Sequence, residues 1–179
     1  VEVVIGSSLN DYIAAASGGM SITGGLGADK IIGGAGTDTI IIGAGDSDFG
    51  TISSPAVAVS VLADIITLAA GDILDLTGAL ATEADYDTLT EVAAGGTITT
   101  TLTTNEVGQF VGVYDPATGN FTSSSTVASG TGSSTDVDAL FYTYAVADDT
   151  DTTATEGLII IGLGAQADSA ILNGVITFA

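Results

Sequence analysis

The chain is 179 residues long and sets 22 acidic residues against a single base, Lys30, for a formal charge of −21, with no histidine, arginine or cysteine. That balance excludes nucleic acid and disfavours anionic membranes as partners. It also removes the imidazole base, the thiolate nucleophile and the guanidinium clamp on which many enzymes rely. Only 13% of residues are charged and mean hydropathy is +0.56. The surface must then be largely Thr, Ser and Ala, which suits contact with other protein. No run reaches the ~18 apolar residues of a transmembrane helix, and no signal-peptide pattern opens the chain. Membrane insertion is not expected. The chain starts at Val1 in mid-pattern, which points to a fragment or processed product, the C-terminal part of something longer.

Residues 1 to 5, Val-Glu-Val-Val-Ile, read as a strand leading into a repetitive stretch from 6 to 50. At its centre, Gly24-Gly25-Leu26-Gly27-Ala28-Asp29-Lys30-Ile31-Ile32 and Gly33-Gly34-Ala35-Gly36-Thr37-Asp38-Thr39-Ile40-Ile41 are two successive copies of Gly-Gly-x-Gly-x-Asp-x-aliphatic-x. Three glycines in four positions allow a tight turn with free carbonyls. The aspartate adds a carboxylate, and calcium takes six to eight oxygens, many of them backbone carbonyls. The triplet x-aliphatic-x is a short strand with one inward side chain. One unit is half a coil and buries nothing alone, so repetition is obligatory.

At a register of nine the aliphatic position gives Ile13, Ile22, Ile31, Ile40 and Phe49, and the third-glycine position gives Leu9, Gly18, Gly27, Gly36 and Gly45. The aspartate position reads Asp11, Met20, Asp29, Asp38 and Ser47, with the acid of the fifth unit displaced to Asp46 and Asp48. Alternate units share a side, so Asp11 should stack near Asp29, and Asp29 near Asp46 or Asp48. Asp38 lies opposite, two units from Met20. The expected calcium ligands are Asp11, Asp29, Asp38, Asp46 and Asp48, with the turns at Gly25, Gly27, Gly34, Gly36, Gly43 and Gly45. The alternative is that these are ordinary Asp-Gly turns of an all-β protein.

Residues Gly24 to Gly45 resemble the nonapeptide of the RTX (repeats-in-toxin) family of secreted bacterial proteins. The resemblance implies a calcium-loaded parallel β-roll, folding triggered by extracellular calcium, and export by type I secretion machinery with its signal near the C-terminus. It covers residues 4 to 50 and identifies a module and a route rather than an activity.

Pro55 breaks the pattern after the repeats. Asp64-Ile65-Ile66-Thr67-Leu68-Ala69-Ala70-Gly71-Asp72-Ile73-Leu74-Asp75-Leu76 resembles the D-x-I-x-x-F-x-x-G-D-x-I-D-L segment that commonly follows RTX repeats, with Leu68 where an aromatic is usual. It reads as strand, Gly71-Asp72 turn and strand. Asp64, Asp72 and Asp75 are either ligands of a further calcium or turn and edge acids. Residues 79 to 91 carry weak helical spacing and predict a short helix. The remainder reads as β: 96 to 103, then a hairpin of 109–114 and 120–122 around Asp115-Pro116-Ala117-Thr118-Gly119, then a Ser/Thr/Gly-rich exposed loop over 123 to 135.

Strands follow at 139–146 and 158–162, the second buried on both faces. Between them Asp148, Asp149, Asp151 and Glu156 read as a solvated hairpin tip, with a calcium loop as the alternative. Asn173-Gly174 marks a closing hairpin, and the short hydrophobic end also resembles the tail of type I substrates.

No G-x-S-x-G elbow or P-loop is present, and aspartates in glycine-rich turns are hard-cation ligands before they are acid–base pairs, so catalysis is not expected. The expected architecture is all-β: a β-roll of about five half-coils with its closing coil over 1–78, running into a mostly antiparallel domain over 79–179 with hairpins around 110–122 and 140–178. The expected role is a calcium-dependent structural module of a secreted surface protein, self-assembling outside the cell into a surface layer or filament. Its partners are then calcium ions and copies of itself. The alternatives are the secretion and folding module of an RTX enzyme or toxin, or a calcium-dependent adhesin domain.

Overall fold

The computed structural model describes residues 2–49, 58–60, 63–80, 88–92, 98, 106–123, 137–144, 156–163, 169–172 and 174–178. Every regular element among these is a strand. The protein is all-β, with its strands in two mixed sheets.

In the first half the chain alternates between the sheets. Strands β1 (Glu2–Ile5), β3 (Met20–Thr23), β5 (Thr39–Gly43) and β8 (Ile73–Gly78) pair in parallel in one. Strands β2 (Tyr12–Ala14), β4 (Lys30–Ile32) and β7 (Asp64–Thr67) pair in parallel in the other. The nine-residue period produces this alternation: Ile13 pairs with Ile31, and Ile22 with Ile40, at twice the period. Strands this short present one inward side chain each, and Ile22, Ile31 and Ile40 are fully buried between the sheets with Ile66 and Leu74. Ile13, on an edge strand, is only half-buried. Replacing Ile31 by Ala leaves a cavity that such thin layers cannot collapse into. The expected loss is about 2–5 kcal/mol, checked by urea denaturation.

Phe49 keeps the period but not the layer. It packs edge-on against Phe141, with ring centroids 5.8 Å apart, in a second core formed with Phe110, Phe121 and Ile159. The chain leaves the stack there and re-enters at β7. The stretch 64–76 then forms the expected strand, turn and strand, with Gly71 at φ 93° between β7 and β8.

The later strands extend both sheets. β10 (Glu106–Asp115) pairs antiparallel with β11 (Asn120–Thr122) around the predicted turn, where Gly119 takes φ 73° and its N–H donates to Asp115 O at 2.8 Å. β6 (Ala58–Ser60) lies beyond β11. β12 (Val137–Tyr144) joins β10 to β13 (Glu156–Ile161), both antiparallel, and β13 runs parallel to β7, which buries it on both faces as expected. β14 (Ser169–Leu172) and β15 (Val175–Phe178) form the closing hairpin, and β15 pairs with β8. Both sheets therefore run across residue 78.

No described residue of the predicted helix over 79–91 is helical. Ala79 and Leu80 form a buried turn, and β9 (Thr88–Val92) pairs in parallel with β10. Thr88, Thr90 and Val92 are β-branched, and a strand already waiting at its side outweighs weak helical spacing. Residues 81–87 lie outside the described residues, as do Pro55, most of 96–103, residues 124–135 of the predicted loop, Asp148, Asp149 and Asp151.

Candidate metal centre

The turns that carry the chain between sheets stack on two sides, and each side has a column of aspartates. On one side Asp11, Asp29 and Asp64 follow one another. The Asp11 N–H donates to Asp29 Oδ1 at 2.8 Å, and the Asp29 N–H donates to Asp64 Oδ1 at 2.7 Å. On the other, the Met20 N–H donates to Asp38 Oδ1 and the Asp38 N–H to Asp72 Oδ1, both at 2.8 Å. Asp11, Asp29, Asp38 and Asp72 each immediately precede a strand and Asp64 opens one, so the strand register fixes their height in the column. The expected pairing of Asp11 with Asp29 and of Asp38 beside Met20 is present. Asp64 rather than Asp46 or Asp48 stands over Asp29, because β7 and not the segment after Phe49 pairs with β4.

The remaining predicted residues divide. Asp46 and Asp48 sit in the turn after β5, next to this column: Asp46 Oδ2 accepts from the Gly43 N–H at 2.6 Å, and Asp48 bridges to Glu156 through the backbone. Asp75 turns away and binds the Thr77 N–H and hydroxyl. Gly27, Gly36 and Gly45 hold positive φ (125°, 114° and 81°), as does Gly18 in the degenerate unit. The second glycine of each unit serves a different need. A Cβ on Gly25 would overlap Ser7 O, and one on Gly34 would overlap Ala16 O, both well inside the 3.0 Å that real side chains keep. Glycine there lets successive coils touch.

Glu156 belongs to this corner too, although its sequence context placed it at a hairpin tip. Its Oε1 accepts from the Gly45 N–H at 2.5 Å, and it heads β13, whose Leu158 pairs with Asp64. Nothing local signals that contact, since the two residues are 111 apart.

Burial and crowding raise the acids here. Burial pushes Asp64 up to about 8, against the lowering bond from the Asp29 N–H, and repulsion from Asp29, Asp46 and Glu156 adds to it. Burial likewise pushes Glu156 up to about 7, with Asp46 and Asp48 contributing. Asp29 is raised chiefly by burial. Asp11, half-buried, is lowered, because the Ser7 N–H and then the Ser7 hydroxyl bind its Oδ2.

The donor set fits a hard cation. Asp29 Oδ2, Asp64 Oδ2 and Glu156 Oε2 are buried with no hydrogen-bond donor. Lys30, the sole base, is exposed with its Nζ 5.8 Å from the centroid of the Tyr12 ring. In the other column Asp38 Oδ2, Thr67 O and Asp72 Oδ2 gather around the bare face of Gly33, 3.1, 3.2 and 3.4 Å from where a Cβ would stand. Such a cradle would be filled by any larger residue. Among the described residues no three acidic side chains form a ready-made metal group. The ligands on offer are pairs of carboxylates with turn carbonyls, the oxygen-only mixture that suits calcium.

Comparison with models of known protein families finds no match, and comparison with curated proteins finds none either.

Proposed function

We propose that the protein is a calcium-dependent structural module of a secreted bacterial surface protein. The repeats and their closing coil, 1–78, form a calcium-loaded β-roll of the RTX type, with ions between the stacked turns of Asp11 and Asp29 and of Asp38 and Asp72. The observation that carries this is the buried Asp29 Oδ2, which has no donor in a chain with one base. A carboxylate buried without a partner is costly unless a proton or a cation neutralises it. Export by a type I system follows from the resemblance of the repeat.

Self-assembly draws support from the free edge of the stack. Among the described residues β1 and β2 each pair on one side only, and Val3, Ile5, Leu9 and Tyr12 are exposed along them. Open edges with apolar side chains invite further pairing. The same edge favours a second reading, the folding module of a longer RTX enzyme or toxin, with further coils stacked there.

A calcium titration followed by circular dichroism, light scattering and electron microscopy tests both parts. β signal and ordered particles should appear together as calcium reaches millimolar levels and vanish with chelator. A folded monomer in calcium would favour the second reading. Indifference to calcium would remove the metal reading.

A further inference from the structure

We propose that Asp64 and Glu156 hold a cation of their own where the repeats meet the later strands, and that this ion latches β13 onto the turn after β5. The inference rests on the calcium reading but uses a ligand that lies far outside the repeats.

Backbone bonds already bring the two segments into register. The Gly157 N–H donates to Ser47 O at 3.0 Å, the Ser47 hydroxyl donates to Gly157 O at 2.7 Å, and Asp48 bridges to Glu156. Ser47 Oγ also accepts from the Asp64 N–H at 2.8 Å, tying all three pieces together. One oxygen of each acid is satisfied: Asp64 Oδ1 by the Asp29 N–H and Glu156 Oε1 by the Gly45 N–H. The other oxygen of each is not, although Asp64 is 0% and Glu156 5% exposed. The buried Tyr144 hydroxyl stands beside Glu156 outside hydrogen-bonding geometry.

Repulsion from Asp29, Asp46 and Asp48 bears on this pair. Against these acids the corner has no basic side chain. Among the described residues the ligand atoms at this corner are carboxylate, hydroxyl and carbonyl oxygens, which selects a hard divalent ion. An ion there joins sequence segments more than ninety residues apart (156 − 64 = 92). Strands β12 and β13 carry no repeat, and their order then depends on calcium through this contact.

Glu156→Gln keeps the acceptor for the Gly45 N–H and removes the charge. In calcium, equilibrium dialysis should count one ion fewer than for the native chain. Hydrogen exchange should show calcium-dependent protection lost in β12 and β13 but kept in β3 to β5. An unchanged ion count with unchanged protection in β12 and β13 would overturn the latch. A native chain whose β3 to β5 amides ignore calcium would instead sink the reading on which it rests.

A terbium measurement decides the matter if the variant does not fold. In a Tyr12→Phe background, terbium emission excited through tyrosine should drop about fivefold or more on adding Tyr144→Phe, because Tyr144 adjoins the proposed ion. Emission that survives that change would place no ion at Glu156.

Discussion

In excess chelator the protein should be most stable near about pH 4 and should weaken steadily toward about pH 8. Asp64 and Glu156 titrate near 8 and 7 in the folded chain, against 3.8 and 4.5 for the unperturbed groups. Between these values the folded state holds protons that the unfolded state has released. Stability therefore falls as pH rises through that window and levels off above about 8, where both states are ionised. With saturating calcium the trend should reverse, since the ion takes deprotonated carboxylates and protons compete with it. Calcium uptake at about pH 6 should expel about two protons from this pair, and at about pH 9 almost none. Urea denaturation across pH with and without calcium, together with calorimetry in buffers of different ionisation enthalpy, measures both effects. A chelated protein that grows more stable from pH 5 to 8 would contradict the assignment of these two acids.

Gly25→Ala should cost about 3 kcal/mol or more, and Gly18→Ala only about 1–2 kcal/mol. Both glycines have positive φ, 94° and 106°, so each substitution carries the same backbone strain. They differ in what the methyl meets. At Gly18 nothing lies within 4 Å, whereas at Gly25 the methyl meets the Ser7 carbonyl of the preceding coil. Backbone cannot step aside as a flexible side chain can, so the coils must part and the bond from Asp11 N–H to Asp29 Oδ1 stretches. Gly34→Ala shares the clash but not the left-handed backbone, because Ala16 O stands in the same relation to it while its φ is not positive, so its loss isolates the cost of the contact. Thermal unfolding in calcium of the three variants measures the difference, and equal losses at Gly18 and Gly25 would mean that strain alone matters.

The period of nine made much of this legible in advance. Ile22, Ile31 and Ile40 take the inward positions it assigns, and Asp11, Asp29 and Asp38 take the turns. Turn chemistry was equally readable at Asp115 to Gly119. Counting fails where the chain leaves its period. The strand after Phe49 that pairs with β4 begins only at Asp64, so the pairing distance rises from 18 to 35 and Asp64 takes the place that simple counting gives to Asp46 or Asp48. Glu156 was unreadable for a deeper reason: its role depends on β13 pairing with β7, a long-range contact with no local signal. Residues 88–91 give the same lesson at short range, a weak helical preference overruled by pairing with β10.

The aspartate columns also give the stack a sense of direction. Every Oδ1 reaches back to the coil before it: Asp29 to Asp11, Asp64 to Asp29, Asp38 to Met20, Asp72 to Asp38. At the near end Asp11 has no earlier coil among the described residues and closes on its own Ser7. At the far end β13 and β15 cover β7 and β8. The structure is a zipper with a stop at one end and an open track at the other. A coil is locked only when its successor is seated, so order spreads from the stop toward residue 2, and any lengthening of the column has one end available to it.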